Sequence, residues 1–142
     1  TSAVNKGDAG SDALNQQYFD ADKALLLGKL RAKFQSVEPW LGLKHGIAAM
    51  RRRGGGSIIN LSLTLARHGA PNMSANCAAA AGLRVMSQAA ALECGEKSDG
   101  VRVNSILVDH TSVVASEVAA AVLYLASDES RFMTAGEIAL SA

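Results

Sequence analysis

The sequence predicts an α/β protein in which helices cover both faces of a parallel sheet. Three short apolar or β-branched runs have the length of strands, and stretches with helical spacing separate them. Strands that alternate with helices in this way need crossover connections, which make neighbouring strands parallel. The 142 residues fit one domain over 1–142, in which 1–22 is mostly loop and 24–142 forms the α/β body.

The first helix is predicted between Ala24 and Arg53, where apolar residues recur every three or four positions. Pro39 should kink or divide it. Cations at 51–53 favour a helix C-terminus, and Gly54–Gly56 provide the left-handed stop. The apolar face of this helix consists of Leu26, Leu30, Phe34, Val37, Trp40, Leu43, Ile47 and Met50.

The remaining elements follow in alternation. Strands are predicted at Ser57–Leu63, Val101–Val108 and Glu137–Leu140, the first of them covered on both faces. A long helix at Asn76–Glu93 is rich in alanine and apolar nearly all round, apart from a few polar positions. We therefore expect it to be buried on two sides, by the sheet and by a neighbouring subunit. A further helix is predicted at Ser116–Ala126.

Composition excludes several functional classes. A net charge of +1 and 4% aromatic residues do not favour nucleic-acid binding. The apolar runs are too short to cross a bilayer, and no charged-then-apolar leader opens the chain, so we expect a soluble cytoplasmic protein. Cys77 and Cys94 fall on one predicted helix roughly 25 Å apart, so they are expected to be reduced and unpaired. His45, His68 and His110 lack the spacing of metal ligands.

Several segments together resemble one family. GGSIINLS at 55–62, VRVNSI at 101–106 and EVAAAVLYLASDES at 117–130 are similar to the fifth strand, sixth strand and penultimate helix of short-chain dehydrogenases/reductases. LGLKHGIAAM at 41–50 resembles the fourth helix, and residues 4–10 weakly resemble the strand-four motif. The resemblance covers about residues 35 to 142. It implies a three-layer, Rossmann-like parallel sheet.

The resemblance also identifies the positions that carry the family's chemistry. A tyrosine acts there as general acid/base, a lysine lowers its pKa, a serine binds the substrate oxygen and an asparagine anchors a water. Alignment on the loop at 69–71 places other residues at all four positions: Asn76 for the tyrosine, Ala80 for the lysine, Leu63 for the serine and Gln35 for the asparagine. These side chains provide no proton path, so we expect a degenerate member without catalytic residues.

Neighbouring residues do not restore the site. Ser62 precedes the serine position by one residue, so its side chain should face the opposite side of the strand and be structural. The only tyrosines, Tyr18 and Tyr124, have no lysine four residues later. Gly54–Gly56 follows a helix and precedes a strand, so it cannot serve as the family's phosphate loop.

The nucleotide-binding half of the family fold therefore has no counterpart in this sequence, and we expect the chain to bind no cofactor, with NAD(P) held by a partner subunit. Val108 and Asp109 replace the Pro-Gly that normally follows the sixth strand, and few residues remain before Ser116. The segment that covers the substrate is thus missing, either deleted in evolution or not included in this sequence.

Unlike the catalytic positions, the helices through which members of the family form subunit contacts are present in this sequence. Short-chain dehydrogenases usually pair through their fourth and fifth helices. The matching interface candidates are Trp40, Leu43, Ile47, Met50, Ala79, Leu83, Met86 and Ala90. The sequence thus indicates a non-catalytic structural subunit. It would pair with a catalytically complete short-chain dehydrogenase subunit, or with itself, in aromatic or hydroxyacyl-CoA degradation.

Two alternatives remain open. The first alternative is an enzyme, in one of two forms. In one form, the chain is part of an NAD(P)-dependent oxidoreductase whose cofactor-binding half is not included in this sequence. In the other form, Asp109 and His110, beside Thr111 and Ser112, carry out another chemistry at the carboxyl end of a strand. The second alternative is a pseudoenzyme that binds a small ligand in the cleft where other members of the family bind cofactor and substrate.

Overall fold

A parallel sheet of three strands forms the centre of the computed structural model, which describes residues 37–109 and 113–141. The strands are β1 (Gly56–Leu63), β2 (Val101–Val108) and β3 (Glu137–Leu140), hydrogen-bonded in that order. The prediction of parallel strands is confirmed, and each strand lies within one residue of its predicted start.

Helices cover both faces of the sheet. Residues 37–51 form α1, Ser74–Lys97 form α2 and Ala115–Ala126 form α3. Helices α1 and α2 pack on one face and α3 on the other, so the described chain has the three predicted layers. Pro39 lies within α1, and the predicted helical residues 24–36 lie outside the described residues. Short 3₁₀ turns at Thr64–Ala66 and Asp128–Ser130 complete the connections.

Helix α2 is longer than the predicted Asn76–Glu93. It continues through Gly95 and ends only at Ser98, which adopts a left-handed conformation with φ +49°. The alanines supply enough helical propensity to carry the helix past one glycine. Within this chain, α2 is buried only on the side that packs against the core. On its other side, Val85 and Leu92 are exposed.

The alternation of side chains along β2 divides the core into two parts. Val101 and Val103 pack with Leu43 of α1 and with Ala91 and Cys94 of α2. The other face presents Ile106 to Ala121 and Leu125 of α3. Both faces of the central strand are therefore buried, as expected for a strand between helical layers.

The two crossover connections lie on opposite faces of the sheet. Helix α2 links β1 to β2 and α3 links β2 to β3, while the strands follow one another in a single direction across the sheet. Two such connections have opposite hands when their helices lie on opposite faces. One of the two is therefore left-handed, against the strong general preference for right-handed crossovers.

The amino ends of β1 and β2 approach closely. A Cβ on Gly55, whose φ is +135°, would lie 2.7 Å from the carbonyl oxygen of Gly100. The Gly55 N–H donates to the Met50 carbonyl at 3.0 Å, which terminates α1 as the glycine run predicts. Beside this turn, the Arg51 guanidinium pairs with the Asp99 carboxylate. Glycines and an ion pair thus join α1 to both strands.

Arg102, the second residue of β2, holds the end of α3. Its guanidinium donates to the carbonyl oxygens of Leu125 at 3.1 Å, Ser127 at 3.3 Å, Ser130 at 3.0 Å and Met133 at 3.3 Å. A cation at this position also suits the negative end of the helix dipole. The side chain therefore satisfies carbonyls that the end of a helix leaves without intrahelical partners.

The two cysteines are unpaired, as predicted. Cys94 is buried in the core with Ala91 and Val103. Burial raises the pKa of its thiol, which keeps it protonated at neutral pH. Cys94 is therefore a packing residue, and its sulfur lies 3.9 Å from Nη2 of Arg51.

Candidate functional site

A cavity of about 510 Å³ opens at the carboxyl ends of β1 and β2. Ligands of open α/β sheets bind at this end of the strands, and the volume falls within the usual range for small-molecule sites. Its walls come from both strands and from all three helices. The lining consists of Glu38, Pro39, Leu61, Ser62, Leu63, Ala79, Ala80, Leu83, Val108 and Val118.

Two of the four predicted family positions meet at this cavity. Leu63, at the end of β1, packs against the core cluster that contains Ala80 of α2, and both residues line the cavity. Asn76 lies one helical turn before Ala80, is half-buried and is not part of the lining. Gln35 lies outside the described residues. The fold thus brings the serine and lysine positions together while their side chains are aliphatic.

The structural role predicted for Ser62 is present, but the prediction that its side chain faces away from the serine position is wrong, because Ser62 and Leu63 line the same cavity. The Ser62 hydroxyl donates to the Ala80 carbonyl at 3.4 Å, a contact that ties β1 to α2 as a structural serine would. It also lines the cavity, because the end of β1 exposes both Ser62 and Leu63 there. Its hydroxyl oxygen retains acceptor capacity for a ligand.

The chemistry of this lining does not fit NAD(P). Pyrophosphate is normally held by backbone N–H groups at a helix N-terminus or by cations, and the described residues of the lining include no lysine, arginine or histidine. Among these described residues Glu38 carries the one charge, and its carboxylate would repel the phosphates. Leu63 and Ala80 offer no donor to a ribose or a substrate oxygen. We therefore derive no step through a nicotinamide cofactor.

A second polar cluster, which the sequence did not predict, surrounds Glu137 of β3. Its carboxylate accepts from Nη2 of Arg67 at 2.9 Å and from Nε2 of Gln88 at 3.2 Å, and it forms an ion pair with Arg84. Burial acts to raise the pKa of Glu137, but the pairing with Arg67 and Arg84 outweighs it and leaves the pKa lowered. The cluster joins the loop after β1 to α2 and β3.

A signal for these contacts was present in the sequence. Arg84, Ser87 and Gln88 are polar residues in an otherwise apolar stretch of α2. Arg84 and Gln88 contact Glu137, and the Ser87 hydroxyl accepts from Nδ2 of Asn60 at 2.8 Å. Polar residues at these positions indicated polar partners on the sheet.

Helices α1 and α2 also form a groove of about 480 Å³ between them, here called the outer groove. Trp40 is 49% exposed, and the Lys44 ammonium lies 5.1 Å from the centre of its ring. The groove is lined by Trp40, Leu43, Lys44, Ile47, Arg51, Met86, Ala89, Ala90 and Glu93. Five of the predicted interface residues, Trp40, Leu43, Ile47, Met86 and Ala90, therefore line one groove.

Three of the interface candidates need correction. Leu43, Ala79 and Leu83 are only 4%, 5% and 6% exposed, because the chain itself buries them. Their side chains have almost no surface to give to a partner. Met50 is partly buried against the core beneath α1, as Ile47, Met86 and Ala90 also are. The prediction of an interface then rests on the residues of the outer groove.

The alternative cluster after β2 is only partly described. The Asp109 N–H donates to the Leu140 carbonyl at 3.0 Å, which extends the pairing of β2 with β3. The other residues of that hypothesis, His110, Thr111 and Ser112, lie outside the described residues.

The described residues contain neither a membrane-spanning helix nor a cluster of metal ligands. Within 37–109 and 113–141, no helix combines the length and hydropathy needed to span a bilayer. The same residues contain no group of three or more histidine, cysteine, aspartate or glutamate side chains placed to hold a metal ion. His45 and His68 are both exposed.

Comparison with known proteins identifies the family. The model of the enoyl-(acyl carrier protein) reductase family matches residues 9–110, which is more than half of the chain. The chain belongs to the short-chain dehydrogenase family. The Rossmann-like architecture predicted from its motifs is also confirmed by a short-chain dehydrogenase from Mycobacterium smegmatis. That structure superposes with a TM-score of 0.71 and 26% identity, over 78% of this chain and 48% of the other.

Relatives of the chain within this family are named as dehydrogenases. The chain is 30% identical over 136 positions to the 2,5-dichloro-2,5-cyclohexadiene-1,4-diol dehydrogenase LinX of Sphingobium indicum, covering 70% of this chain and 54% of the relative. It is 33% identical over 124 positions to the NADP-dependent (R)-specific alcohol dehydrogenase of Lentilactobacillus kefiri, covering 69% and 49%. The chain thus spans about half the length of these relatives.

The comparison with LinX also contains an internal gap. Seventy per cent of 142 residues is fewer than the 136 aligned positions, so part of the aligned stretch of LinX has no counterpart in this chain. In the structure, only residues 109–114 connect β2 to α3. A connection this short is consistent with the predicted lack of a substrate-covering segment.

Proposed function

We propose that this chain is a non-catalytic subunit of a short-chain dehydrogenase oligomer, pairing with a catalytically complete subunit or with a second copy of itself. One observation carries the proposal. At the carboxyl ends of the strands, the side chains that meet at the serine and lysine positions are Leu63 and Ala80. Neither side chain can donate, accept or move a proton, so the family's serine and lysine positions supply no proton path for hydride transfer at this cavity.

The surface of α2 supports pairing. Five exposed residues recur at spacings of four and three along the helix: Ala78, Gly82, Val85, Ala89 and Leu92. This spacing places them on one stripe, and small residues allow another helix to approach closely. The stripe borders the outer groove at Ala89, and Trp40 supplies an aromatic anchor of the kind that dominates interfaces. The surface would pair helix against helix with a partner.

Other parts of the proposal follow from family membership. The partner would hold NAD(P), since this chain's cavity does not fit it. The pathway would be aromatic or hydroxyacyl-CoA degradation in the cytoplasm, and a relative named for a cyclohexadiene diol is consistent with the aromatic branch. The chain would contribute stability or shape to the partner.

Pairing is tested by native mass spectrometry of the chain purified from its native source, with every polypeptide and its copy number recorded. We expect a complex that contains this chain at least twice or together with a full-length dehydrogenase. Val85→Glu, which places a charge on the stripe, should break the complex. Leu123→Glu is the control and should leave the complex intact, since Leu123 lies on α3 and is 72% exposed, against 56% for Val85. A monomeric wild-type chain would contradict the proposal.

The proposed lack of catalysis in this chain is tested separately. The isolated chain is incubated with NAD(H) or NADP(H) and with alcohols or ketones, and nucleotide absorbance is followed. We expect no turnover and no heat of nucleotide binding in calorimetry. Hydride transfer by the isolated chain would instead favour the second candidate.

That second candidate is an NAD(P)-dependent oxidoreductase of which this chain is one part. The dehydrogenase activities named for its relatives favour it, as does the half-length coverage of those relatives. In that case a longer polypeptide containing this chain would oxidise alcohols. Sequencing the gene on both sides of the coding region and assaying the longer product would distinguish the two candidates.

A further inference from the structure

We propose that the guanidinium groups of Arg67 and Arg84 together form a binding site for a phosphate group. This inference goes beyond the proposed subunit role, and it depends neither on pairing nor on the cavity at the carboxyl ends of the strands. Its starting point is the polar cluster around Glu137, in which two arginines from different parts of the chain bind one carboxylate.

The carboxylate of Glu137 holds the two cations in place. It is only 10% exposed, and its Oε2 accepts from Nη2 of Arg67 at 2.9 Å while its Oε1 pairs with Nε of Arg84. Gln88 donates to Oε1 at 3.2 Å and fixes the carboxylate from α2. Because both arginines bind the same group, their guanidinium groups lie close together before a ligand binds. A site that is already arranged loses less conformational freedom on binding.

Both arginines have donors beyond those that Glu137 accepts. A guanidinium carries five N–H donors on three nitrogens, and the contacts with Glu137 use one nitrogen of each side chain. The side chains of Arg67 and Arg84 are 45% and 31% exposed, so a solute can reach them from solution. The two arginines can therefore bind a second anion while Glu137 keeps them in position.

The charges of the cluster favour an anion. Two cations surround one carboxylate, which leaves an excess of one positive charge on these three side chains. Hydrogen bonds between a guanidinium and an ionised oxygen are roughly twice as strong as neutral ones. The attraction comes from cations that are present in the described cluster, at a surface where Arg67 belongs to the loop after β1 and Arg84 to α2.

Geometry selects phosphate among the anions. The planar fork of arginine matches the oxygen spacing of carboxylates and phosphates alike. A phosphate group presents three acceptor oxygens, so it can accept from both guanidinium groups at once and still expose an oxygen to water. Free phosphate and phosphate esters share this chemistry, and the experiment below distinguishes them.

The test is calorimetric titration of the full chain at constant ionic strength, with inorganic phosphate as the probe. We expect saturable binding with a Kd on the order of 1 mM. Phenyl phosphate is the second probe, because it carries the same group on an ester. Tighter binding of phenyl phosphate would identify a phosphate ester as the ligand, whereas equal or weaker binding would identify free phosphate.

Matched variants locate the binding. Arg67→Gln and Arg84→Gln each remove one cation and should weaken phosphate binding about tenfold or more. Arg52→Gln is the control, because it makes the same substitution and the same change in net charge at an exposed arginine that follows α1. It should bind phosphate as the wild type does. Circular dichroism checks folding, and Arg67→Gln decides the result if Arg84→Gln does not fold, since Arg67 lies in an exposed loop.

Three results would overturn the inference: no saturable heat with the wild-type chain, unchanged binding in the Arg67 and Arg84 variants, or equal weakening by Arg52→Gln, which would indicate an effect of net charge alone. Native mass spectrometry of the same samples reports pairing separately. A complex that binds no phosphate would reject this inference alone, and phosphate binding by a monomer would reject the subunit proposal alone.

Discussion

The two ends of the sheet are built differently. At the amino end, Gly55 and Gly100 bring two backbones into contact, Arg51 pairs with Asp99, and Arg102 binds the carbonyls at the end of α3. At the carboxyl end, aliphatic side chains surround a cavity and Leu61 is half exposed. Directional contacts therefore hold the amino end, while the carboxyl end has few.

This difference separates the residues that hold the fold from those that would perform chemistry. Open α/β proteins place their functional groups at the carboxyl ends of the strands, so the amino end is free to be optimised for stability. In this chain the amino end keeps its polar contacts, although at the carboxyl end aliphatic Leu63 and Ala80 stand at the family's serine and lysine positions. A mutation at the amino end should thus cost more stability than a comparable one at the carboxyl end.

Arg102→Met should have the largest effect. It removes a charged donor that satisfies four buried or half-buried carbonyl groups, and bonds from charged donors are stronger than neutral ones. We expect the free energy of unfolding to fall by about 3 kcal/mol or more. Urea denaturation followed by circular dichroism measures it. A loss below 1 kcal/mol would contradict the conclusion that the amino end of the sheet is the more strongly held, because Arg102 makes more hydrogen bonds there than the other residues named.

Gly55→Ala should be next, at about 2 kcal/mol, because the new methyl group would meet the Gly100 carbonyl while φ stays at +135°. Gly54→Ala is the matched control. Gly54 also has a positive φ, +85°, but a Cβ there would meet nothing within 4 Å. It should therefore cost about 1 kcal/mol, the price of the backbone conformation alone. Equal losses in the two variants would show that the close approach contributes nothing.

Acid should weaken the amino end through Asp99. The hydrogen bond from Arg51 lowers the pKa of this carboxyl, and the Val101 N–H, 3.0 Å away, lowers it further. A lowered folded-state pKa means that the contribution to stability is present above the ordinary value near 4 and is lost as the pH falls through the folded value. Asp99→Asn should reduce stability at pH 7 and flatten its decline between pH 5 and pH 3.

The measurement is the urea midpoint of both proteins across that pH range. Added salt should shrink the difference at pH 7, because exposed ion pairs are screened. If Asp99→Asn left the acid dependence unchanged, the carboxylates of Glu93 and Glu137, whose pKa values are also lowered, would account for it instead.

The smallest effect is expected at the carboxyl end. Leu61→Ala should lower the free energy of unfolding by less than about 1 kcal/mol, because the side chain is already half exposed. Leu43→Ala, in the core near the amino end, is the contrasting variant and should cost about 2–4 kcal/mol. Thermal unfolding of both variants reports the difference. A similar loss in both would mean that the cavity is filled in the folded chain.

Much of the fold was predictable from the sequence. Val101–Val108 and Glu137–Leu140 were predicted with their observed bounds, because turn residues flank short apolar runs there. The end of α2 was not, since Gly95 reads as a stop and the helix continues to Lys97. Helix ends depend on which residue adopts the left-handed conformation, and here that residue is Ser98.

The candidate site was predicted less completely. The family alignment assigned Leu63 and Ala80 to the serine and lysine positions, and in the structure both residues line the cavity. Burial of Leu43, Ala79 and Leu83 was not foreseen, because apolar periodicity does not tell a core position from an interface position. The contacts of Arg102 and Glu137 depend on residues distant in sequence, which a local pattern cannot pair.

Arg102 has a consequence for how the chain reaches its structure. One crossover runs against the usual hand, so strand twist alone does not decide which face each connecting helix occupies. Arg102 projects from β2 on the side of α3 and finds its acceptors only when that helix has docked there. The guanidinium thus favours docking of α3 on this face of the sheet, because its acceptors on that helix end are available only there.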